Sequence, residues 1–387
     1  MVWQRHFREL MNKQRREFMI GAGRGLLTLS ALPYLQGCDD VTRNPAPTAA
    51  GDKKIADFLG ADLSAIIYLA SLAPSGHNTQ PWVIKITTPH DWVIGSDKKR
   101  WLPAVDPYNH ELLLSIGAFL ENLVTAANHY GYQVNYRVIA RSPHDAELLE
   151  VKLQKDKPVA FEIDKIAKRR TLRNGYLPRE LAAQDFTYIT DGAPGIHYIP
   201  KGSKPANYLA GGTLEANRTQ ASRDAAQEEL ANWIRWSNKD AAKYRNGLTP
   251  ASMEIEGVAG WYVQHFFNRD SVLKQSFRKT GVEKVAQQVQ QGAGWLVMTS
   301  NGADIAALLE TGRRFERMLL KLRDKMIAIH PMTQMLEEEP WRNEVSSELG
   351  LNQPVRFILR TGYRSSYPNP VSLRMPPSWF VTSALTR

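Results

Sequence analysis

Two segments of different periodicity are joined by the stretch Ala73-Pro74-Ser75-Gly76-His77-Asn78-Thr79-Gln80-Pro81-Trp82. Before it, apolar residues recur at helical spacing from Leu63 to Ala70, and after it the run Val83–Ile86 predicts a strand. Four side chains of the loop can hydrogen-bond a planar polar ligand, namely Ser75, Asn78, Thr79 and Gln80. The same residue types are typical of a capped turn, so they leave a ligand-binding loop and a structural turn both open.

The bulk composition is that of a globular protein. Of 387 residues, 43% are hydrophobic and 23% charged, and this length suits two or three domains or one large pseudo-repeated domain. The formal net charge is +10, of which +4 lies in residues 1–37; the remaining excess favours anionic ligands such as phosphates. No basic run with interleaved aromatic residues occurs, so nucleic-acid binding is not indicated. A single cysteine excludes an internal disulfide, and the nine histidines lack metal-ligand spacing.

The N-terminal residues carry two signals of export. Gln14–Met19 contains a twin-arginine pair, followed by a moderately apolar run at 20–35 that Arg24 interrupts and that is too short to span a bilayer. This arrangement resembles a bacterial Tat export signal. Leu35–Cys38 is similar to a lipoprotein cleavage box, and Cys38 is the sole cysteine. The alternative is a buried amphipathic helix with a chance cysteine, but two signals that meet at one cysteine favour the export signal.

Cleavage after Gly37 would leave Cys38 at the N-terminus, where several acyl chains would hold the protein stably on a bilayer. Residues 38–52 then form a flexible tether. We therefore predict export by the Tat machinery and a location on the periplasmic side of the membrane, anchored to lipid through Cys38.

Two long amphipathic helices are predicted at Glu111–His129 and Ala303–Arg323. Gly117 in the first and Gly312 in the second allow close approach of another element, and ordinary core packing is favoured over a ligand contact for the first. Apolar or alternating runs predict further strands at Trp92–Ile94, Tyr136–Ile139, Leu149–Leu153, Trp295–Thr299 and Phe357–Tyr363.

Three later segments contain polar groups suited to a phosphorylated ligand. The basic run Lys168–Arg173 would ordinarily be a solvated face, but guanidinium forks also match phosphate geometry. Ile329–Gln334 contains Pro331, Thr333 and Gln334, and Ser372-Leu373-Arg374 follows the last predicted strand in a proline-rich tail. None of these segments is specific alone.

Taken with the Asn-x-Gln-Pro-Trp motif, these segments resemble the flavin-binding elements of the nitroreductase family. The resemblance implies bound FMN, contacted at the ring edge or ribityl chain by Ser75, Asn78 and Gln80. It implies charge for the phosphate from Arg169, Arg173 and Arg374, and a hydroxyl from Thr171. It also implies that Pro331, Thr333 and Gln334 lie over the isoalloxazine ring. It assigns no catalytic residue, and no metal site is expected.

The chain departs from the family pattern at two places. The family often has an acid and a glycine where this chain has Thr333 and Gln334. The resemblance therefore does not say which groups contact flavin N5 and the nicotinamide. Ser372 stands where the family has a basic residue of the phosphate clamp, so only Arg374 is kept. The order of the motifs is also reversed, because the Arg169–Arg173 motif follows the Asn-x-Gln-Pro-Trp loop.

The ordinary family member is a homodimer with FMN at the subunit interface, touched by both chains. The reversed order therefore implies a fused chain that builds one such interface internally, a monomer with one FMN. The predicted fold class is α+β, a nitroreductase-like fold of mixed, mainly antiparallel sheets flanked by helices. We predict a signal peptide at 1–37, a tether at 38–52, and half-like modules at 53–160 and 161–387. A candidate lid covers 205–290, where three tryptophans are expected at the surface: Trp233, Trp236 and Trp261.

By this resemblance the chain is an exported oxidoreductase that reduces a small-molecule acceptor, a nitro compound or quinone, through FMN. NAD(P)H is the candidate electron donor. Because NAD(P)H is scarce outside the cytoplasm, an alternative is a flavin-binding, redox-carrier or flavin-sequestering lipoprotein with little turnover. A second alternative is an envelope interaction module without any cofactor.

Overall fold

The computed structural model describes residues 52–383. The predicted signal peptide 1–37, Cys38 and nearly all of the tether 38–52 lie outside the described residues, as do residues 384–387. Within 52–383 the secondary structure is α+β, as predicted. No helix in this range is long and apolar enough to cross a bilayer, and none of its His, Cys, Asp and Glu residues cluster in threes that could hold a metal ion.

The first half of the described chain builds a five-stranded sheet. Its elements are α1 (Lys53–Leu59), α2 (Ala61–Ala70), β1 (Trp82–Thr88), β2 (Asp91–Ser96), α3 (His110–His129), β3 (Tyr132–Val138) and β4 (Glu147–Lys155). The strand order is β3-β4-β2-β1-β9, where β9 is the C-terminal strand Val381–Ser383. The pairs among β1 to β4 are antiparallel, and β9 runs parallel to β1. Alternating burial along β4 shows that one face of the sheet is covered.

The second half builds a four-stranded antiparallel sheet in the order β5-β6-β8-β7. Its strands are β5 (Ile196–Pro200), β6 (Gly294–Thr299), β7 (Ile327–Pro331) and β8 (Val355–Tyr363). Its helices are α4 (Asp164–Lys168), α5 (Ala183–Thr190), α6 (Lys204–Ser222), α7 (Asp224–Trp233), α8 (Asn238–Tyr244), α9 (Gly257–Phe266), α10 (Arg269–Leu273), α11 (Gln275–Gln288), α12 (Ile305–Leu322), α13 (Gln334–Glu337) and α14 (Trp341–Glu348).

The two halves meet where α3 crosses α12 with their backbones in contact. A Cβ placed on Gly117 would lie 2.1 Å from the carbonyl oxygen of Leu309, and one placed on Gly312 would lie 2.1 Å from that of Leu114. No side chain fits in either gap, so glycine at these two positions permits the crossing. The close approach predicted for both glycines is confirmed.

One apolar core runs through both halves. A single cluster of buried side chains includes Ile84 and Phe119 from the first half and Leu296 and Phe315 from the second. Two sheets that share one core are the arrangement expected of an internal pseudo-dimer.

The C-terminal tail returns to the first half. Phe380 is buried in the common core, its carbonyl accepts a hydrogen bond from the N–H of Ile84 (2.9 Å), and the following residues form β9 on the edge of the first sheet. The predicted module 161–387 therefore contributes its last strand to the sheet of the predicted module 53–160. Nothing in the local sequence of this three-residue strand signals that long-range pairing.

The predicted lid segment 205–290 is mostly helical and packs on the rest of the protein. Trp261 is exposed (55%), but Trp233 and Trp236 are buried, so the expectation of surface positions is wrong for these two. Trp233 packs with Leu102 and neighbouring apolar residues of the first half, and Trp236 lies in a separate small cluster. The spacing of tryptophans along a polar segment could not reveal these contacts.

The crossing of α3 and α12 yields a stability prediction. Gly117→Ala should lower the free energy of unfolding by about 3 kcal/mol, because a methyl group forces the helix backbones apart. Gly281→Ala is the matched control, since a Cβ on Gly281 within α11 meets only open space. The control should change stability by at most about 1 kcal/mol, in the stabilising direction. Urea unfolding monitored by circular dichroism measures both, and equal effects would contradict the close crossing.

Candidate functional site

The loop before β1 has an unusual backbone. His77, Asn78 and Gln80 have φ angles of 46°, 53° and 54°, so three non-glycine residues within four positions are left-handed. Such conformations cost free energy and cluster at ligand sites and active sites. A short 3₁₀ turn, Gly76–Asn78, shapes the loop, and the hydroxyl of Ser75 accepts a hydrogen bond from the N–H of Gln80 (3.0 Å). The predicted loop is thus a strained element held in one shape.

The side-chain amides of Asn78 and Gln80 tie this loop to the second half. Asn78 Nδ2 donates to the carbonyls of Gly247 (3.0 Å) and Leu373 (3.1 Å). Gln80 Nε2 donates to the carbonyl of Leu373 (3.3 Å), while its Oε1 accepts from the N–H of Met375 (2.9 Å). Both side chains are buried, so each amide acts as a connector between distant parts of the chain.

Arg374 lies at the centre of the same network. Its Nη1 donates to Asn78 Oδ1 (3.0 Å), and its Nη2 donates to the carbonyls of Leu72 (2.9 Å) and Ala73 (3.1 Å). The C-terminal basic motif and the loop after α2 are therefore brought together, as the predicted shared site requires.

Arg169 donates to one of the same carbonyls. Its Nη2 donates to Leu72 (2.9 Å), and its Nε lies 3.4 Å from Oε1 of Glu316 on α12. Glu316 is fully buried (0% exposed), and burial raises its pKa to about 7 although the charge of Arg169 opposes the shift. Arg169 therefore faces a carboxyl group that is only partly ionised near pH 7.

Arg173 lies farther along the same segment and faces two histidines. Burial, followed by the charge of Arg173, lowers the pKa of His77 to about 4. The pKa of His330, on β7, is lowered well below its ordinary value by the same causes. Both imidazoles are therefore neutral at pH 7. The main-chain N–H of Arg173 donates to Oε1 of Glu254 (3.0 Å), whereas Thr171 is half-buried and makes no side-chain hydrogen bond to a described residue.

The segment Ile329–Gln334 is not the loop that the sequence predicted. Its first three residues belong to β7, which ends at Pro331 and pairs with β8, and α13 begins at Gln334. The loop was implied by the family resemblance, and Pro331 instead lies at the end of the strand, where its missing N–H costs little. Gln334 is half-buried, and its Oε1 finds no hydrogen-bond donor among the described residues.

Thr333 joins a cluster of carboxyl groups that sequence reasoning missed. Its hydroxyl oxygen lies 3.1 Å from an oxygen of Glu111 and 3.1 Å from one of Glu337. Burial, followed by the charge of Asp106, raises the pKa of Glu111 to about 7. Burial also raises the pKa of Asp106 to about 7 and that of Glu337 well above its ordinary value. The cluster therefore holds protons near neutral pH.

This carboxyl cluster borders the strained loop. A Cβ on Gly76 would lie 3.2 Å from Oε2 of Glu111. A cavity opens between the loop and the start of α3, lined by Gly76, Thr79, Arg100, Asp106, Glu111 and Ser115. Asp106 and Glu111 read in the sequence as ordinary acidic residues at a helix N-terminus, so no local signal distinguished them.

The structure thus brings most of the predicted site residues to one region. Asn78, Gln80 and Arg374 are directly bonded, and Arg169 shares the Leu72 carbonyl with Arg374. Ser75 accepts a hydrogen bond within the loop, and the charge of Arg173 lowers the pKa of His77 in the loop. Thr333 contacts Glu111, whose carboxyl lies beside Gly76 of the loop. Whether these residues contact a cofactor stays a prediction.

No family model matches the chain. The probable NAD(P)H nitroreductase PigM of Serratia sp. is 22% identical over 324 residues, which cover 80% of this chain and 90% of that protein. The putative NAD(P)H nitroreductase Rv3131 of Mycobacterium tuberculosis is 23% identical over 320 residues, covering 81% and 87%.

Two solved structures show weaker likeness. The nitroreductase-like family protein from Bacillus cereus covers 57% of this chain and 94% of its own at 10% identity and a TM-score of 0.32. The FMN-dependent nitroreductase NfnB from Mycobacterium smegmatis, in complex with NADPH, covers 53% and 91% at 14% identity and a TM-score of 0.33. The predicted resemblance to nitroreductases is confirmed by the sequence relatives.

The carboxyl cluster predicts a pH dependence of stability. The ordinary pKa of Glu111 is 4.5 and its pKa in the folded protein is about 7, so the unfolded state loses this proton first as pH rises. The stability contributed by the protonated group is present below pH 4.5 and is lost as pH rises toward 7. The ionisation of Glu111 should therefore make the free energy of unfolding fall by up to about 1.4 kcal/mol per pH unit in this window. Glu111→Gln should remove that part of the fall, because an amide does not ionise.

Urea unfolding between pH 4.5 and 8 measures the effect. Glu215→Gln is the control, because Glu215 is exposed on α6 and pairs with Arg218 at the surface. A Glu111→Gln profile parallel to that of the unmodified protein would show that the carboxyl ionises normally.

Proposed function

We propose that this chain, a nitroreductase-like protein by its sequence similarity over four fifths of its length, is an FMN-dependent oxidoreductase. It transfers two electrons from NAD(P)H to a small-molecule acceptor such as a nitro compound or a quinone. The observation that carries this proposal is the convergence of predicted flavin contacts from both halves of the chain. Asn78 of the first half and Arg374 of the second are joined by a hydrogen bond of 3.0 Å.

The polar groups around the loop fit a flavin. Nδ1 of His77 and Oε1 of Gln334 are buried without a hydrogen-bond partner among residues 52–383, and buried polar atoms of this kind call for a ligand or water. The isoalloxazine ring offers an N3–H donor that suits Gln334 Oε1, and its carbonyl oxygens and ring nitrogens can pair with Nδ1 of His77. Arg173 adds a cation suited to the anionic parts of FMN.

When bound, the flavin supplies the redox chemistry, and the protein supplies position and electrostatics. The strained loop, fixed by Asn78 and Gln80, presents a rigid edge to the ligand. Arg173 favours negative charge near His77. Glu111, whose pKa is about 7, holds a proton at a carboxyl oxygen beside Gly76 and can deliver it near neutral pH.

A flavin-binding protein with little turnover is the second candidate. The segment 245–254 lies over the loop: the N–H of Gly247 donates to the Asn78 carbonyl (2.9 Å), and Glu254 bonds to Arg173 and Asn174. Coverage of this kind holds a cofactor in place but restricts the approach of a nicotinamide donor. It therefore favours a redox-carrier or flavin-sequestering role over fast reduction.

Flavin analysis of the purified protein tests the main proposal. We expect one FMN per chain after denaturation and a large loss of flavin in Asn78→Ala and Arg374→Ala. Asn135→Ala, at an exposed position of β3, is the control and should keep its flavin. Circular dichroism checks that each variant folds.

Stopped-flow absorbance then separates the two candidates. Prompt bleaching of the flavin band by NADH or NADPH supports a reductase, and slow bleaching supports the carrier. A colourless protein from flavin-rich cells that also binds no added FMN would remove both and leave the cofactor-free interaction module.

Export is a separate part of the proposal and rests on the twin-arginine motif and Cys38. Cys38→Ala should release the protein from the membrane fraction, because the acyl chains cannot be attached. Replacing Arg15 and Arg16 by lysine should leave the uncleaved precursor in the cytoplasm. Cell fractionation with mass spectrometry of the N-terminus measures both, and an unprocessed chain in the unmodified strain would refute this part.

A further inference from the structure

Two carboxyl groups from the two halves of the chain meet at one hydroxyl. Oγ1 of Thr333 lies 3.1 Å from Oε1 of Glu111, at the start of α3, and 3.1 Å from Oε1 of Glu337, on α13. A threonine hydroxyl has one proton to donate. When both contacts are hydrogen bonds, it donates to one acid and accepts from the other. One of these two acids, here called the acid pair, therefore carries a proton.

The charged groups around the acid pair have partners of their own. Both oxygens of Asp106 accept from main-chain N–H groups at the start of α3 (2.8 and 2.9 Å). Both oxygens of Glu229 accept from main-chain N–H groups of the segment before α3 (2.9 and 3.3 Å), and Glu338 is paired with Arg223 (2.5 Å). Within the described part of the chain, neither member of the acid pair forms an ion pair. Two adjacent carboxylates without a cation repel each other, so one retained proton stabilises the pair.

The Glu111 end of the acid pair opens on the cavity beside the strained loop. A Cβ on Gly76 would lie 3.2 Å from Oε2 of Glu111, and the cavity is also lined by Thr79 and Arg100. Arg100 is engaged elsewhere, since its Nε lies 3.2 Å from Asp97. Thr79 is only 3% exposed, and its hydroxyl makes no hydrogen bond to a described residue. A buried hydroxyl without a partner calls for a polar ligand or water in this cavity.

The Glu337 end of the acid pair lies on the other side of Thr333. Its Oε2 accepts a hydrogen bond from Nε2 of Gln220 on α6. Both Glu337 and Gln220 are half-buried, so water reaches this end of the pair, and Glu337 does not line the cavity. The three side chains thus connect a solvent-accessible acid to an acid that faces the cavity.

We propose that Glu111 and Glu337 share one proton through Thr333 and that Glu111 donates it to an acceptor bound in the cavity beside Gly76. The inference rests on the proposed function, because reduction of the acceptor consumes the proton. Conversion of a quinone to a hydroquinone takes up two electrons and two protons. The hydride of NAD(P)H accounts for both electrons and one proton, and Glu111 supplies the other.

The transfer restores the acid pair after each reduction. The O–H bond of Glu111 breaks, and an oxygen of the acceptor gains the proton. Water then protonates Glu337, whose proton moves to Thr333 while the hydroxyl proton of Thr333 moves to Glu111. Glu111 is the catalytic residue in this scheme, and Thr333 and Glu337 are positioning residues that act through it.

Infrared spectroscopy of the full chain without added ligand tests the shared proton. The band of protonated carboxyl groups is followed from pH 5 to 8 in the unmodified protein, in Glu111→Gln, in Glu337→Gln and in the double variant. Subtraction of the double variant isolates the acid pair. The last proton of the pair should leave at a pH about one unit higher than the proton of either single variant, because only the intact pair brings two charges together.

Glu344→Gln is the matched control, since Glu344 is exposed on α14, and it should not change the titration of the acid pair. Equal midpoints in the unmodified protein and both single variants would show two independent acids and would overturn the proposal. This measurement needs no flavin, so it remains decisive if the proposed function fails.

Quinone reduction by the flavin-loaded protein tests the delivery of the proton. Glu111→Gln should lower the rate per bound flavin about a hundredfold, the lower end of the effect of a general acid. Thr333→Val should also lower it, because valine lacks the hydroxyl, and Thr333→Ser should restore most of the rate. Glu337→Gln should shift the fall of the rate with rising pH to lower pH, which a merely structural role would not do.

Thr280→Val is the control for the threonine variants, because Thr280 is exposed on α11. Rates and pH profiles of the Glu111, Thr333 and Glu337 variants equal to that of the control would contradict proton delivery by Glu111. A protein that binds no flavin would instead refute the proposed function, and the infrared titration would still decide whether the proton is shared.

Discussion

The backbone contact between α3 and α12 is the constraint on which the rest of this structure depends. At Gly117 and Gly312 a single methyl group would overlap a carbonyl of the opposite helix. This contact brings the two sheets onto one apolar core. The start of α3, the loop 75–80 before β1 and the residues after β7 lie next to one another where the two halves meet, a junction here called the seam. The strained loop and the carboxyl cluster both lie along that seam. A wider crossing would separate groups that come from residues far apart in the sequence.

Polar groups along the seam follow a simple electrostatic pattern. The buried cations Arg169 and Arg374 donate to main-chain carbonyls, and Arg169 also lies 3.4 Å from the Glu316 carboxyl. Such networks are costly to assemble and specify one arrangement when all members are satisfied. The acids around Glu111 are different, because burial raises their pKa values and they hold protons near neutral pH beside the strained loop.

The sequence predicted those elements whose signal is local. The strands β1, β2, β6 and β8 and both central helices follow from apolar periodicity and lie close to the predicted bounds. The loop 73–82 followed from its motif, because breakers and polar residues combine there. The division into two half-like modules stays a prediction of the family resemblance, and β9 crosses its boundary by pairing with β1.

Features that depend on long-range contacts could not be predicted in this way. β9 is three residues long and pairs with a strand some three hundred positions away, and the burial of Trp233 and Trp236 depends on which surfaces meet. Glu111 and Glu337 are common surface residue types, so their proximity became visible only when the fold placed them on either side of Thr333.

Hydrogen exchange of the flavin-depleted chain with and without FMN tests the central claim most directly. If one ligand is held by both halves, a single equivalent of FMN should slow exchange together at residues 72–80, 169–173 and 372–375, at the same ligand concentration. Protection confined to one half, or two separate binding events, would contradict a single site built at the seam.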